Sequence, residues 1–103
     1  MRRALVYLPE VSRDFVQACN YYEAFSPRFG QRFERAYNRA EQEVEDGLVT
    51  HKLVFNHYHR VILKRYPYIL YYRLDGTKAV MVGLLYSRLN PQNIEATLKS
   101  RNP

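Results

Sequence analysis

Tyr58-His59-Arg60-Val61-Ile62-Leu63-Lys64-Arg65-Tyr66-Pro67-Tyr68-Ile69-Leu70-Tyr71-Tyr72-Arg73-Leu74, followed after Asp75-Gly76 by Ala79-Val80-Met81-Val82-Gly83-Leu84-Leu85-Tyr86, carries the densest β signal in the chain. β-branched and aromatic residues crowd this stretch, and turn residues fall at Pro67 and at Asp75-Gly76, so it predicts three strands joined by two tight connections. Alternation divides the first strand, from about His57 to Arg65, into Tyr58, Arg60, Ile62 and Lys64 on one side and His59, Val61, Leu63 and Arg65 on the other. The second set is the better core face. The next two strands, Tyr68 to Leu74 and Val80 to Tyr86, are apolar on both sides except at Arg73, which implies a sheet covered on one face and at least partly on the other. Basic side chains punctuate the strands rather than the turns, and a purely structural sheet has no need of that.

Upstream, the apolar run Arg3-Ala4-Leu5-Val6-Tyr7-Leu8 ends at Pro9, a residue suited to the first turn of a helix because it has no N–H to leave unpaired. A strand therefore hands over to a helix running from Pro9 to about Phe25. Its core face is Val11, Phe15, Ala18, Cys19 and Tyr22, with Glu10 and Asp14 near the positive end of the dipole. Ser26-Pro27 is a second start signal, a capping hydroxyl followed by proline. Phe29, Phe33, Ala36, Tyr37, Ala40 and Val44 then recur at intervals of three and four, with Arg32, Arg35, Arg39, Glu41, Glu43 and Glu45 elsewhere on the wheel and Gly47 as a stop. Two such helices with a short connection make an antiparallel hairpin whose apolar stripes face one sheet. Between Leu48 and Asn56 the pattern is poor and fits a loop or a short irregular strand. Asn93 to Lys99 fits a short terminal helix with Ile94 and Leu98 on one side, and Ser100 to Pro103 reads as a frayed tail.

The predicted fold class is α+β: an N-terminal strand, an antiparallel helical hairpin and a three-stranded antiparallel meander, forming a four-stranded, mainly antiparallel sheet with a short C-terminal helix. The 103 residues are expected to form one domain, 1–103, with a single core. The one cysteine, Cys19, falls on a core face and is expected to be an inert thiol; no signal-like segment is legible, so the expected location is cytoplasmic. Nothing approaches the roughly 18 to 20 consecutive apolar residues of a membrane span, so no membrane role is expected.

The formal charge of +6 is unevenly spread: residues 1 to 50 hold seven Lys/Arg and eight Asp/Glu, whereas residues 51 to 103 hold nine and two. A field of that sign draws in phosphate backbones or an acidic protein partner, and composition does not choose between them. Charged residues also protect exposed strands, so a solvated edge is the plain alternative. The histidines at 51, 57 and 59 invite a metal site, but the nearest carboxylates, Asp46 and Asp75, have no spacing motif to complete it, so neither metal nor cofactor is expected. Ten tyrosines suggest base stacking, yet Tyr22, Tyr37 and Tyr72 fall where periodicity assigns packing.

The strand, helical hairpin and meander, and above all Lys64-Arg65-Tyr66-Pro67-Tyr68-Ile69-Leu70-Tyr71-Tyr72-Arg73 with the exit Arg88-Leu89-Asn90-Pro91, resemble the RelE/ParE superfamily of bacterial toxins from toxin–antitoxin (plasmid stabilisation) operons. That resemblance implies a basic toxin neutralised by an acidic antitoxin whose flexible C-terminal segment wraps it across the sheet and hairpin. One branch of the family cuts messenger RNA in the ribosome; the other poisons DNA gyrase without being an enzyme.

For a metal-independent endoribonuclease, proton transfer and stabilisation of phosphorane charge are implied to fall to Arg60, Lys64, Tyr86 and Arg88, on one side of the meander. RNA-cleaving relatives carry an arginine near the positions of Tyr68 and Ile69, a basic residue near Leu89 and a tyrosine in the C-terminal segment, and this chain has none of these. The aromatic-Pro-Tyr run favours the ParE-like branch, although that branch often has His at the place of Tyr86 and Asp at the place of Asn90. The expectation is a non-enzymatic binder of gyrase using Arg60, Lys64, Arg65, Tyr68, Tyr71, Arg73 and Arg88, with a ribosome-dependent nuclease and a diverged, non-toxic binding module as the alternatives.

Overall fold

The computed structural model describes residues 2–101. β1 (Ala4–Tyr7) leads into α1 (Pro9–Glu23) and α2 (Pro27–Asp46), followed by β2 (Leu53–Val54), β3 (Tyr58–Ile62), β4 (Tyr68–Asp75), β5 (Lys78–Tyr86) and α3 (Pro91–Arg101). The sheet order is β1-β5-β4-β3-β2, with β1 parallel to β5 and every other pair antiparallel. The α+β reading holds, and the sheet gains a fifth strand at its edge. That strand lies in the stretch from Leu48 to Asn56, read from sequence as a loop or a short irregular strand; it is two residues long, and its turn places Phe55 and Asn56 at positive φ, which no glycine announces.

The helix boundaries follow local chemistry. Ser26 has extended backbone and its Oγ accepts a hydrogen bond from the Phe29 amide at 3.3 Å, satisfying a donor that the first turn leaves open. Gly47 closes α2 in the left-handed region at φ 65, where a side chain would clash with its own backbone. α1 begins with Pro9 directly after β1, whose ladder is prolonged by the Leu8 amide donating to the Met81 carbonyl at 3.0 Å.

Two clusters sandwich the sheet. On one face α1 and α2 lay Val11, Ala18, Phe33, Tyr37, Ala40 and Val44 against Val61, Leu63, Leu70, Tyr72, Met81 and Leu84. On the other, Ile94 and Leu98 of α3 close over Tyr58, Ile69, Tyr71, Val82 and Leu85. The sequence pattern implied a sheet covered at least partly on its second face, and α3 supplies that cover. β4 and β5 shift register between Tyr71, opposite Gly83, and Tyr72, opposite Met81. Val82 is the extra residue of this bulge, so the side-chain alternation of β5 changes phase there and the strand looks apolar on both faces.

The bulge is also where three elements lock. Arg101 makes a bidentate pair with Asp14 of α1, at 2.5 and 2.9 Å, and its guanidinium also donates to the Val82 carbonyl at 3.3 Å. Asp14 Oδ2 in turn accepts from the Leu84 amide at 3.0 Å. The pair is largely buried, and Gly83 makes room for it: a Cβ there would stand 3.0 Å from the Arg101 guanidinium and 3.2 Å from Leu98. Arg101, read from sequence as part of a frayed tail, is thus a structural residue at the end of a helix running from Pro91; the rest of that expected tail, Asn102 and Pro103, lies outside the described residues.

Removing one partner of such a pair strands the other charge, at a cost of about 3 kcal/mol or more. Asp14→Ala and Arg101→Ala are each expected to lower the midpoint of urea unfolding strongly. The double variant should be little worse than either single one, and full additivity of the two losses would show that the pair is not coupled.

Candidate functional site

Both candidate surfaces lie at the connection between β3 and β4, where the hairpin side of the sheet meets the helices. Lys64 and Arg65 are the turn, the Tyr66 amide donates to the Leu63 carbonyl at 3.3 Å, and Pro67 leads into β4. Arg65 has φ 72, a left-handed backbone that costs a non-glycine residue roughly 1–2 kcal/mol.

On one side of this turn is an open groove of about 610 Å³ lined by Tyr21, Tyr22 and Phe25 from α1, Phe29 from α2, and Pro67, Tyr68, Tyr86 and Arg88 from the sheet. Its rings form a continuous series. Phe25 meets Phe29 at 6.3 Å and Tyr21 at 5.5 Å, Tyr21 meets Tyr22 at 5.2 Å, and Tyr22 leads through Tyr68 at 6.3 Å to Tyr86 a further 5.7 Å on. The inner end is anchored in the core by Tyr22 stacked on Phe33 at 5.1 Å. The outer end is open: Phe25 is 62% exposed and Tyr21 58%. Contiguous exposed aromatics of this kind mark a binding surface, because a folded chain otherwise buries them. Phe29, assigned by periodicity to the core, belongs to this surface instead.

On the other side of the turn lies a cleft of about 400 Å³ whose lining is Arg32, Arg35, Ala36, Arg39, Lys64, Arg65 and Tyr66. The arginines come from the outer face of α2 and the remaining cations from the turn. Sequence reasoning missed this convergence because the arginines of α2 are offset, in any sum over the N-terminal half, by glutamates on the same helix. Three of the four glutamates of α2 are engaged elsewhere: Glu41 accepts from the Tyr7 hydroxyl, Glu45 pairs with Arg2, and Glu43 bonds His51 at 2.7 Å.

The sequence-predicted residues therefore divide. Arg60 opposes Tyr71 on the face covered by α3, whereas Tyr86 opposes Tyr68 on the hairpin face, with Arg88 beyond it. Lys64 and Arg65 belong to the basic cleft. Arg60, Lys64, Tyr86 and Arg88 thus occupy three separate places, because strand register sets the faces and is not written in the alternation of any one strand. Tyr71 is only 3% exposed and packs under α3, and burial pushes its phenol pKa up, partly countered by Arg60. Arg73 lies 4.0 Å from Asp75 at the far end of β4.

Protonation in the aromatic groove runs away from neutrality. Burial raises Tyr68, and it pushes Tyr22 up to about 12 with neighbouring tyrosines adding to the effect. Cys19 is half-buried, and burial, followed by Glu34 and Glu23, pushes its thiol up to about 11. The histidines serve packing. The His51 ring bridges the Tyr72 hydroxyl at 2.6 Å and Glu43 at 2.7 Å, while His59 stacks on Tyr72 at 5.2 Å and its Nδ1 donates to the His51 carbonyl at 2.9 Å. Among the described residues no group of three or more His, Cys, Asp or Glu side chains is placed to hold a metal ion, and no helix is long and apolar enough to cross a membrane.

No family model matches the sequence, and no curated protein matches it. Among solved structures, the chain is similar to one from "Chromosomal ParDE TA system from P. aeruginosa", with a TM-score of 0.68 and 10% identity, over 81% of this chain and 94% of that one. The fold is RelE/ParE-like. The correspondence spans nearly the whole of that solved chain, so the strand, hairpin and meander are shared as one architecture.

Because the outer rings of the groove carry no core packing, the double variant Phe25→Ser/Phe29→Ser is expected to change stability by about 0.5 kcal/mol or less per site. Phe33→Ala, fully buried, should cost about 3–5 kcal/mol. Thermal unfolding monitored by circular dichroism distinguishes them, and a large loss in the double variant would mean that the groove is closed in solution.

Proposed function

We propose that this chain is the toxin of a toxin–antitoxin pair of the ParE type, acting in the cytoplasm by binding and inhibiting DNA gyrase and silenced by an acidic antitoxin. The observation that carries the reading is the pairing of a RelE/ParE-like fold with an exposed aromatic groove at the end of the hairpin. A groove of stacked rings edged by Arg88 suits a protein segment with apolar anchors and carboxylates, in which rings supply most of the affinity and charge supplies orientation and rate.

Support for binding over RNA cleavage comes from the dispersal of Arg60, Lys64, Tyr86 and Arg88. Cleaving a phosphodiester requires a base and cations within hydrogen-bond reach of one phosphate, and these four residues stand on two faces of the sheet and on two sides of a turn. Tyr68 and Arg88 remain together in the groove, where we assign them to contact with the protein partner.

Expression from a tightly repressed promoter should stop growth, and co-expression of a cognate antitoxin should restore it. Plasmid from arrested cells is expected to be relaxed or cleaved while messenger RNA stays intact. Cleaved transcripts with normal supercoiling would establish the ribosome-dependent nuclease instead, and unimpaired growth would leave only a non-toxic binding module. Phe25→Ser/Phe29→Ser, folded as above, should weaken capture of the antitoxin by at least ~10-fold in titration calorimetry, as expected for removal of two exposed aromatic anchors.

A further inference from the structure

We infer that the cleft between α2 and the β3–β4 turn is a phosphodiester-binding site, so that the chain contacts a nucleic-acid backbone directly, at a surface separate from the aromatic groove. Five cations line it, Arg32, Arg35 and Arg39 on the helix wall and Lys64 and Arg65 on the turn, and all five are exposed. Among the described residues none of the five has an ion-pair partner, whereas Arg2, Arg73, Lys99 and Arg101 each do. Glu43 lines a small adjoining cavity with Arg39 and Lys64, and it is committed to His51 at 2.7 Å.

The spacing suits a phosphate chain. Arg32, Arg35 and Arg39 lie on one helix face and span about 10 Å along its axis at 1.5 Å per residue. Each nucleic-acid strand presents a charge about every 3.4 Å of axis, so the row matches a run of about three phosphates, with Lys64 and Arg65 closing from the other wall. Four of the five cations are arginines, whose planar forks bind phosphate oxygens in pairs. The only non-basic lining is Ala36 and Tyr66, whose ring is already packed edge-on against Tyr22 and Phe33, whereas the exposed rings that an acidic peptide with apolar anchors would use are in the groove across the turn.

Arg65 points the same way independently. Its left-handed backbone, φ 72, suits glycine or asparagine, yet an arginine is held there on the rim of the cleft. The conformation is unfavourable for folding, and the cation it carries faces the bound phosphates.

The test is fluorescence anisotropy with the purified full chain and three probes: a labelled DNA duplex of about 20 base pairs, an RNA single strand of about the same length, and unlabelled polyglutamate as competitor. Binding is expected with a log–log salt slope of roughly −3 to −4.5, corresponding to three to five phosphates. Arg35→Gln/Arg39→Gln/Lys64→Gln should weaken binding at least ~10-fold and make the slope shallower by about 3. Arg13→Gln/Lys52→Gln/Lys78→Gln, which removes the same charge outside the cleft, should change affinity less than ~3-fold, the residue of a long-range field. Arg65→Gly should raise the melting temperature while lowering affinity, which separates a loss of binding from a loss of folding. Tighter binding of the duplex identifies DNA as the source of the phosphates, and tighter binding of the single strand identifies RNA. The proposal is overturned by equal weakening in the two triple variants, by undiminished affinity in Arg65→Gly, by polyglutamate displacing the nucleic acid at equal charge, or by no binding at low salt.

Discussion

The bidentate pair between Asp14 and Arg101 is the constraint on which the rest of the architecture depends, because it joins the first helix, the bulged central strand and the last helix at one point. α3 has 11 residues and buries Ile94 and Leu98 as its apolar contribution. A helix of that length is marginal in water, so its position over the sheet requires a tertiary contact. Arg101 supplies it from the final turn, and Gly83 removes the one side chain that would hold the guanidinium away from β5. The buried charges contribute less to net stability than to uniqueness of geometry, since desolvation offsets most of their attraction. With α3 so fixed, the second face of the sheet is closed by the chain itself, and the aromatic groove and basic cleft lie on the other side, at the end of the hairpin and the β3–β4 turn.

How much of this was legible follows from which interactions are local. The start and stop of α2 are written in Ser26, Pro27 and Gly47, each acting within a turn of its own position, and both helices were readable from their apolar period. The meander was readable from composition and from its two turns. Register was not. Whether Arg60 and Tyr86 share a face depends on Arg60 opposing Tyr71 and Tyr86 opposing Tyr68, relations across strands that no single strand's alternation contains. The bulge at Val82 was hidden for the same reason, since an apolar strand with an extra residue resembles a strand apolar on both faces. Arg101 read as tail because its partner lies 87 residues away.

Charge shows the same limit in another form. Counted by halves, the basic excess sits wholly in the C-terminal half, and the helices look balanced. A helix, however, sorts residues by angle: Arg32, Arg35 and Arg39 share one outer face, Glu41 and Glu45 lie away from it toward Tyr7 and Arg2, and Glu43, one turn beyond Arg39, is engaged by His51. The field that matters is the one on a face, and it falls off within a Debye length of about 8–10 Å, so a sum over fifty residues averages away what a partner would meet. A count along the α2 wheel, taken before the sum, would have separated the arginine stripe from Glu34, Glu41 and Glu45, but not from Glu43, which follows Arg39 by four residues on the same face.

The β3–β4 turn then gives the molecule two unlike surfaces with a shared wall. Tyr66 lines the basic cleft and Pro67 the aromatic groove, so adjacent residues face different chemistry. Proline restricts the residue before it to extended backbone, and Tyr66 is wedged edge-on against Tyr22 at 5.1 Å and Phe33 at 5.3 Å, so the wall has little freedom to move for one occupant without moving for the other. Occupancy of the two surfaces is coupled to the extent that either occupant shifts this turn, and the coupling is reciprocal, because a free-energy difference between sites has the same value from either side.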